Sequence, residues 1–222
     1  MSTATFIVAL AAPPVSATSD GKEYLEAFAA TSTKDPLQLL LRTTATSNAA
    51  KGLIGKQSGD LLIVSGDLSL STDGNTPELF ARVICNAKPD QYLNEVVIVG
   101  RLATEAKVTS TSKSCSRRVA VNRYSQQQEH TDWFTIRGYG YAMERISSCP
   151  KGALVSVSGC LEQRTNRDGQ PYCELKVRAF QVHNRAKGPG GNPAAGTSAQ
   201  GYAHEDFTGP LEVMPTNWST AA

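Results

Sequence analysis

GDLLIVSGDL, residues 59–68, returns as GALVSVSGCL at residues 152–161, with Gly59/Gly152, Leu61/Leu154, Val64/Val157, Ser65/Ser158, Gly66/Gly159 and Leu68/Leu161 matched without a gap. An apolar, partly β-branched run bounded by glycine reads as a strand. Its recurrence is part of a longer correspondence. Each copy is followed by an Asp-Gly pair, Asp73-Gly74 and Asp168-Gly169, and then by Pro77, Glu78, Leu79 and Arg82 in the first half and Pro171, Glu174, Leu175 and Arg178 in the second. Asp-Gly between two strand-like runs signals a tight hairpin, because both residues tolerate positive φ. Upstream, TFIVALA (5–11) corresponds to VVIVGRLA (96–103), and LQLLLR (37–42) to DWFTIR (132–137). Each half therefore reads strand, strand, strand, short helix, strand, hairpin, strand. A repeat this long signals duplicated domains rather than the shorter units of a solenoid.

Short strands separated by turn residues predict an all-β fold of two tandem five-stranded barrels, each with one short helix. In YAMERISSCPKG (141–152), Ala142 and Ile146 share a helix face, and Pro150 and Gly152 end it; TATSNAAKGLIGK holds the same slot in the first half. The division is 1–90, 91–187 and 188–222. The last segment opens with GPGGNPAAGTSAQG (188–201), the composition of a flexible linker, and continues as a tail too poor in apolar residues to fold alone. The opening MSTATFIVALAAPPVSA faintly imitates an export signal, but lacks a positive charge before its short apolar run; a first strand is the better reading.

Charge is distributed unevenly. The net of +2 conceals −2 over residues 1–90, +7 over 91–187 and −3 over 188–222. A basic segment between acidic ones favours a polyanionic partner, against the plainer alternative of a solvated surface. No run approaches the roughly 18 apolar residues of a membrane span. The five cysteines lack metal spacing, which suggests reduced, mostly packing thiols in a cytoplasmic compartment. Catalytic and cofactor signatures are missing. AKGLIGK has Ala50 where a phosphate loop needs its first glycine, GYGYAM has Met143 where a dinucleotide fingerprint needs its third, and His130, His183 and His204 are scattered. The chain reads as a binding protein rather than an enzyme, with no cofactor and no metal.

The strand WFTIRGY, Trp133 to Tyr139, is the most informative. Alternation sends Phe134 and Ile136 to the core and Trp133, Thr135, Arg137 and Tyr139 to the other face. Two rings flanking a guanidinium suit unpaired nucleotides, since stacking serves any base and arginine reaches phosphate. Packing of those rings under a loop or in an interface is the competing explanation. Arg101 in EVVIVGRL adds charge nearby, as do Tyr172, Glu174, Lys176, Arg178 and Phe180, read as one face of YCELKVRAF. SKSCSRRVAVNRYS brings Arg117, Arg118, Arg123 and Tyr124, and EQRTNRDGQPY brings Arg164 and Arg167. The matching first-half strand has Gln38, Leu40, Arg42 and Thr44, so that half is expected to lack the stacking aromatics and mainly to build the assembly or to hold DNA weakly.

LNEVVIVGRLATEAKV, TDWFTIRGYG and KGALVSVSGCLEQRTNRDGQPY together resemble the bacterial single-stranded DNA-binding protein family over about residues 92–183. The resemblance implies an oligonucleotide/oligosaccharide-binding (OB) barrel that protects single-stranded DNA in replication, recombination and repair. It places family stacking positions at Trp133 and Tyr139, with Tyr124 beside a third, and puts Asn166 where a fourth ring is expected. It also implies a homodimer presenting four barrels, and recruitment of replication and repair proteins by the tail. Here HEDF (204–207) and Trp218 are the candidate contacts, because PTNWSTAA departs from the family's acidic tip. Two alternatives stay open: single-stranded RNA as the ligand, and a tandem-barrel adaptor for proteins.

Overall fold

The computed structural model describes residues 1–31, 36–71, 76–111, 113–125, 128–166 and 168–184. Arg167, the Asp73-Gly74 turn and the tail from residue 185 lie outside the described residues. The first half contains β1 (Ser2–Leu10), β2 (Val15–Ser19), β3 (Lys22–Thr31), β4 (Gln38–Thr44), α1 (Asn48–Leu53), β5 (Leu61–Leu70) and β6 (Pro77–Asn86). The second contains β7 (Asn94–Leu102), β8 (Lys107–Val108), β9 (Ser114–Ser125), β10 (Gln128–Tyr139), α2 (Gly140–Ser148), β11 (Leu154–Thr165) and β12 (Pro171–Asn184).

Five strands in each half close a ring. β1 pairs with β3, β3 with β4, β4 with β6, β6 with β5, and β5 with β1. The second ring runs β7, β9, β10, β12, β11 and back to β7. Only the closing pairs, β4–β6 and β10–β12, are parallel among these. β2 and β8 are extra strands on the outer flanks of β3 and β9. A ring turns one side of every strand toward a common core, and because β3 and β9 close on only the carboxy-terminal ends of β1 and β7, the amino-terminal halves of those two strands keep a free edge. Phe6, Leu39, Leu41, Leu62 and Leu79 fill the first interior, and Ile98, Val119, Phe134, Ile136 and Leu175 the second.

The duplicated phrase is explained by what each copy does in its ring. Gly59 and Gly152 have φ of +88° and +85°, a region open to glycine, and turn the chain from the helix slot into the fourth ring strand. Their amides donate to the Leu10 and Leu102 carbonyls at 2.8 and 2.7 Å. Gly66 and Gly159 sit where β6 and β12 cross at close quarters. A Cβ there would lie 2.1 Å from the Phe80 carbonyl oxygen and 2.0 Å from that of Lys176. At both glycines the register slips, leaving Arg82 and Arg178 as the extra residues of matched bulges. The second bulge corrects one sequence expectation: beyond Arg178 the alternation reverses, so Phe180 turns into the core instead of joining Lys176 outside.

The helices plug the barrels. Ser47 caps α1, its hydroxyl accepting from the Ala50 amide. On α2, Ile146 is fully buried and fits only because Gly138 lies beneath it, where a Cβ would stand 2.6 Å from the Ile146 Cδ1.

The two rings join edge to edge. β1 pairs antiparallel with β7 from Ser2↔Ile98 to Phe6↔Asn94, so one 12-stranded sheet runs through both barrels. Beside the seam, buried Asn94 ties β7 to β11 within the second barrel by bonding both main-chain groups of Leu161, at 2.8 and 2.9 Å. Asp132 forms a bolt between the barrels, accepting from the Leu70 amide of the first barrel at 3.5 Å and from the Arg123 Nε at 2.8 Å. In the matching place, the Gln38 amide meets the Gln163 side chain at 3.4 Å.

Replacing either crossing glycine should be costly. Gly159→Ala or Gly66→Ala is expected to lose about 2–3 kcal/mol, the cost of overpacking a filled position. For a fold of this size that lowers Tm by roughly 4–12 °C, read by circular dichroism on heating. A Tm within a degree of the parent would refute the crossing as a tight constraint.

Candidate nucleic-acid interface

β10 is the middle strand of an open face, with β9 antiparallel on one side and β12 parallel on the other. The register aligns Trp133 with Ala120 on β9, and Ala120 in turn with Arg101 on β7. Thr135 lies between Arg118 and Glu174, and Arg137 between Ser116 and Lys176. Residues directly opposite share a face. The outward set is therefore Arg101, Arg118, Tyr124, Trp133, Arg137, Tyr139, Arg164, Tyr172 and Lys176, while Phe134 and Ile136 lie in the core. Trp133 is 50% exposed and Tyr139 is 44% exposed, on the same side of the strand. Six residues of strand separate them, a span of about 20 Å. That accommodates several stacked bases.

Tyr139 has a cation above it: the Lys176 Nζ lies 6.0 Å from the ring centroid and 3.7 Å from the Glu162 Oε1. Arg137 is held from below. Its Nε donates to the Glu174 Oε1 at 2.7 Å, and its Nη1 to the Ser114 hydroxyl at 3.3 Å. The hydrogen bond to Glu174 pushes the guanidinium still further above its ordinary pKa, outweighing the lowering effect of burial. Glu174 is buried, and its second oxygen has no hydrogen-bond partner among the described residues. Arg137 is thus a fixed cation in the floor of the platform rather than a mobile arm. Arg164 pairs with Glu162 along β11. Arg101 donates to the Gly152 carbonyl at 3.0 Å, and Arg118 is exposed with no ion-pair partner among the described residues.

Two sequence candidates leave the set. Arg117 is 2% exposed and points inward. It donates to the Thr104 carbonyl at 2.9 and 2.6 Å, to Ile146 at 3.0 Å, and to Cys149. It is the cation that satisfies the carbonyls at the end of α2. Arg123 alternates away from Tyr124 and lies beside Asp132 on the reverse of the β9–β10 ribbon. Asn166 acts within its own turn. Its side-chain oxygen accepts from the amides of Asp168 and Gln170 at 2.9 and 2.8 Å, closing the β11–β12 connection.

The first barrel presents its rings on other strands. Its β4 lacks aromatics on the outer face, but neighbouring strands supply them: Tyr24 and Phe28 on β3, and Phe80 on β6. The alternation Tyr24, Glu26, Phe28 was visible in KEYLEAFAAT, as was Glu78, Phe80, Arg82 in PELFAR. Comparing the halves through β4 alone hid both. Arg42 aligns with Glu26 and pairs with it at 2.6 Å, whereas Arg137 takes its carboxylate from β12.

Residues 93–183 match the model of the single-strand binding protein family. That segment spans the second barrel. No curated protein sequence matches the chain. Among solved structures, the wild-type single-stranded DNA-binding protein of Thermus aquaticus aligns at a TM-score of 0.61 and 18% identity, covering 86% of this chain and 97% of that one. A deletion mutant of the Thermus protein aligns at 0.61 and 17%, covering 85% and 97%. Identity this low speaks for the fold, and a match over 86% of the chain extends beyond the family segment. Both OB barrels therefore have a structural counterpart, although only the second is recognised by sequence.

The sorting of adjacent arginines has opposite consequences for neighbouring substitutions. Arg117→Met should lower stability by about 3 kcal/mol, as buried carbonyls lose a charged donor, and leave the salt dependence of binding unchanged. Arg118→Ala should leave Tm unchanged and reduce the slope of log K against log salt by about 1. Thermal unfolding and a salt titration of polynucleotide binding read the two effects, and reversed outcomes would overturn the assignment.

Proposed function

We propose that this protein binds single-stranded DNA with little regard to sequence, through the outer face of the second barrel, and protects it during replication, recombination and repair. The observation that carries this reading is the alignment of Trp133 and Tyr139 on one exposed side of β10, with cations on both flanks. Half-exposed rings already fixed in a strand lose little freedom when a base stacks on them. Arg101, Arg118 and Lys176 supply the phosphate contacts, and Arg137 holds a positive potential at the centre. Arg137, Arg164 and Lys176 carry intramolecular carboxylate partners, so phosphate binding there exchanges one pairing for another. Affinity then depends more on stacking than the count of basic residues suggests.

Two chains are further proposed to pair as a homodimer with four barrels. The support is the outer face of the shared sheet, where Val97 stands exposed beside the seam between β1 and β7. The tail is proposed to recruit replication and repair proteins.

Trp133 and Trp218 are the only tryptophans, so intrinsic fluorescence reports directly on the platform. Adding poly(dT) should quench it, with affinity falling steeply as salt is raised. Trp133→Ala should weaken binding by about 1–3 kcal/mol, roughly fivefold to 150-fold, and remove most of the quenching. Undiminished affinity in that variant at low salt would defeat the platform. Light scattering coupled to gel filtration should return twice the chain mass.

A further inference from the structure

Among the described residues, one buried side-chain polar atom lacks a hydrogen-bond partner: the Oε2 of Glu174. The residue is 2% exposed, and its other oxygen holds the Arg137 Nε at 2.7 Å. Half of a carboxylate is thus left unsatisfied at the centre of the platform, and a buried acceptor without a donor is costly. The barrel frame does not demand this arrangement. Glu78, the repeated residue of the first barrel, is only half-buried, and Arg42 there takes its carboxylate from Glu26.

The register fixes where the free oxygen lies. Glu174 stands across from Thr135 on β10 and from Glu162 on β11, and Thr135 stands across from Arg118 on β9. Directly opposed residues share a face, so this row belongs to the outer side of the barrel. It runs between the row of Trp133 and the row of Arg137 and Lys176, two strand residues or about 7 Å from each. A base that follows the one on Trp133 toward Tyr139 passes over it. The neighbours of Glu174 on this face are long side chains: Tyr172 and Lys176 on its own strand, and Arg164 opposite Tyr172. Lys176 and Arg164 both pair with Glu162, at the surface.

We propose that Glu174 selects among bases: its Oε2 accepts a hydrogen bond from the exocyclic amine of a base lying between Trp133 and Tyr139, which favours cytosine over thymine at that position. The proposal rests on the reading of the platform as a single-stranded DNA site. Phosphate draws Lys176 and Arg164 off Glu162, and the carboxylate beneath opens to the strand. Arg137, bound to Oε1, fixes the direction in which Oε2 points. An ionised carboxylate can only accept. Cytosine meets it with the N4 amine, the same pairing by which acidic side chains read that base in a duplex groove. Thymine has no amine, and its single ring N–H sits between two carbonyl oxygens that a carboxylate repels. Stacking elsewhere on the platform stays indifferent to the base.

Fluorescence anisotropy on the full chain tests this with labelled oligo(dC) and oligo(dT) of about 8 nucleotides, within the reach of a single barrel. Glu174→Gln keeps an oxygen for Arg137 and turns an amide NH2 toward the strand. It is expected to weaken oligo(dC) by about tenfold and to leave oligo(dT) unchanged or tighter. A merely structural role moves both probes together, so equal losses on the two would overturn the proposal, as would parental affinity for both. A second measurement needs no variant. The parent is offered oligo(dC) and the same oligomer built from deoxyzebularine, which is deoxycytidine without its exocyclic amine. The amine-free probe is expected to bind about tenfold more weakly. Equal affinity for those two would overturn the selection while leaving the platform intact. If the parent retains none of these probes, the platform fails and the selection fails with it.

Discussion

The parallel pairing of β10 with β12 is the constraint on which this molecule rests. Parallel neighbours cannot be joined by a tight turn, so the chain must leave β10, cross the barrel end as α2, and return through the β11–β12 hairpin before the pair forms. That detour closes the ring, and it is why Gly159 is needed. β12 must follow β11 and then swing across to β10, and at the swing the backbones approach too closely for any side chain. The same argument holds for Gly66 in the first barrel, which accounts for the phrase written twice.

Closure also builds the platform. Residues 135–137 meet residues 174–176 only because β12 lies beside β10, and that brings Glu174 under Arg137 and Lys176 over Tyr139. A partly buried guanidinium needs a partner, and a buried carboxylate without one would be costlier still. The pair Arg137–Glu174 is better understood as what keeps the floor of the site flat and positive than as a source of stability. The first barrel meets the same need differently, pairing Arg42 with Glu26 from β3. Equivalent cations on a duplicated frame have thus kept their place while changing partners, and the faces around them have diverged: Lys176 aligns with Arg137 where Phe80 aligns with Arg42.

The seam between β1 and β7 turns two small barrels into one sheet. Each ring alone buries a modest core. Joined, they share main-chain hydrogen bonds and the Asp132 bolt. The join also sets the β9–β10 ribbon of the second barrel against the first barrel's outer face, which makes nearby positions of two distant segments into one surface.

Much of this was legible in residue order. Period-two alternation placed Trp133 and Tyr139 on one side and Phe134 and Ile136 on the other, because a strand leaves its side chains no other choice. The repeat marked the duplicated frame, and Ile146 marked the buried side of α2. What residue order could not supply was anything that depends on which strand lies beside which, or on where an alternation slips. Arg117 and Arg118 are adjacent and chemically identical, yet one caps a helix inside the barrel and the other faces solvent, since only the β9–β10 register assigns them sides. Phe180 turned inward because a bulge two residues earlier reversed the phase. Arg137 and Glu174 are far apart along the chain, and only the parallel pairing of β10 with β12 brings them together. Local periodicity is a property of the chain itself; sidedness and neighbourhood belong to closure.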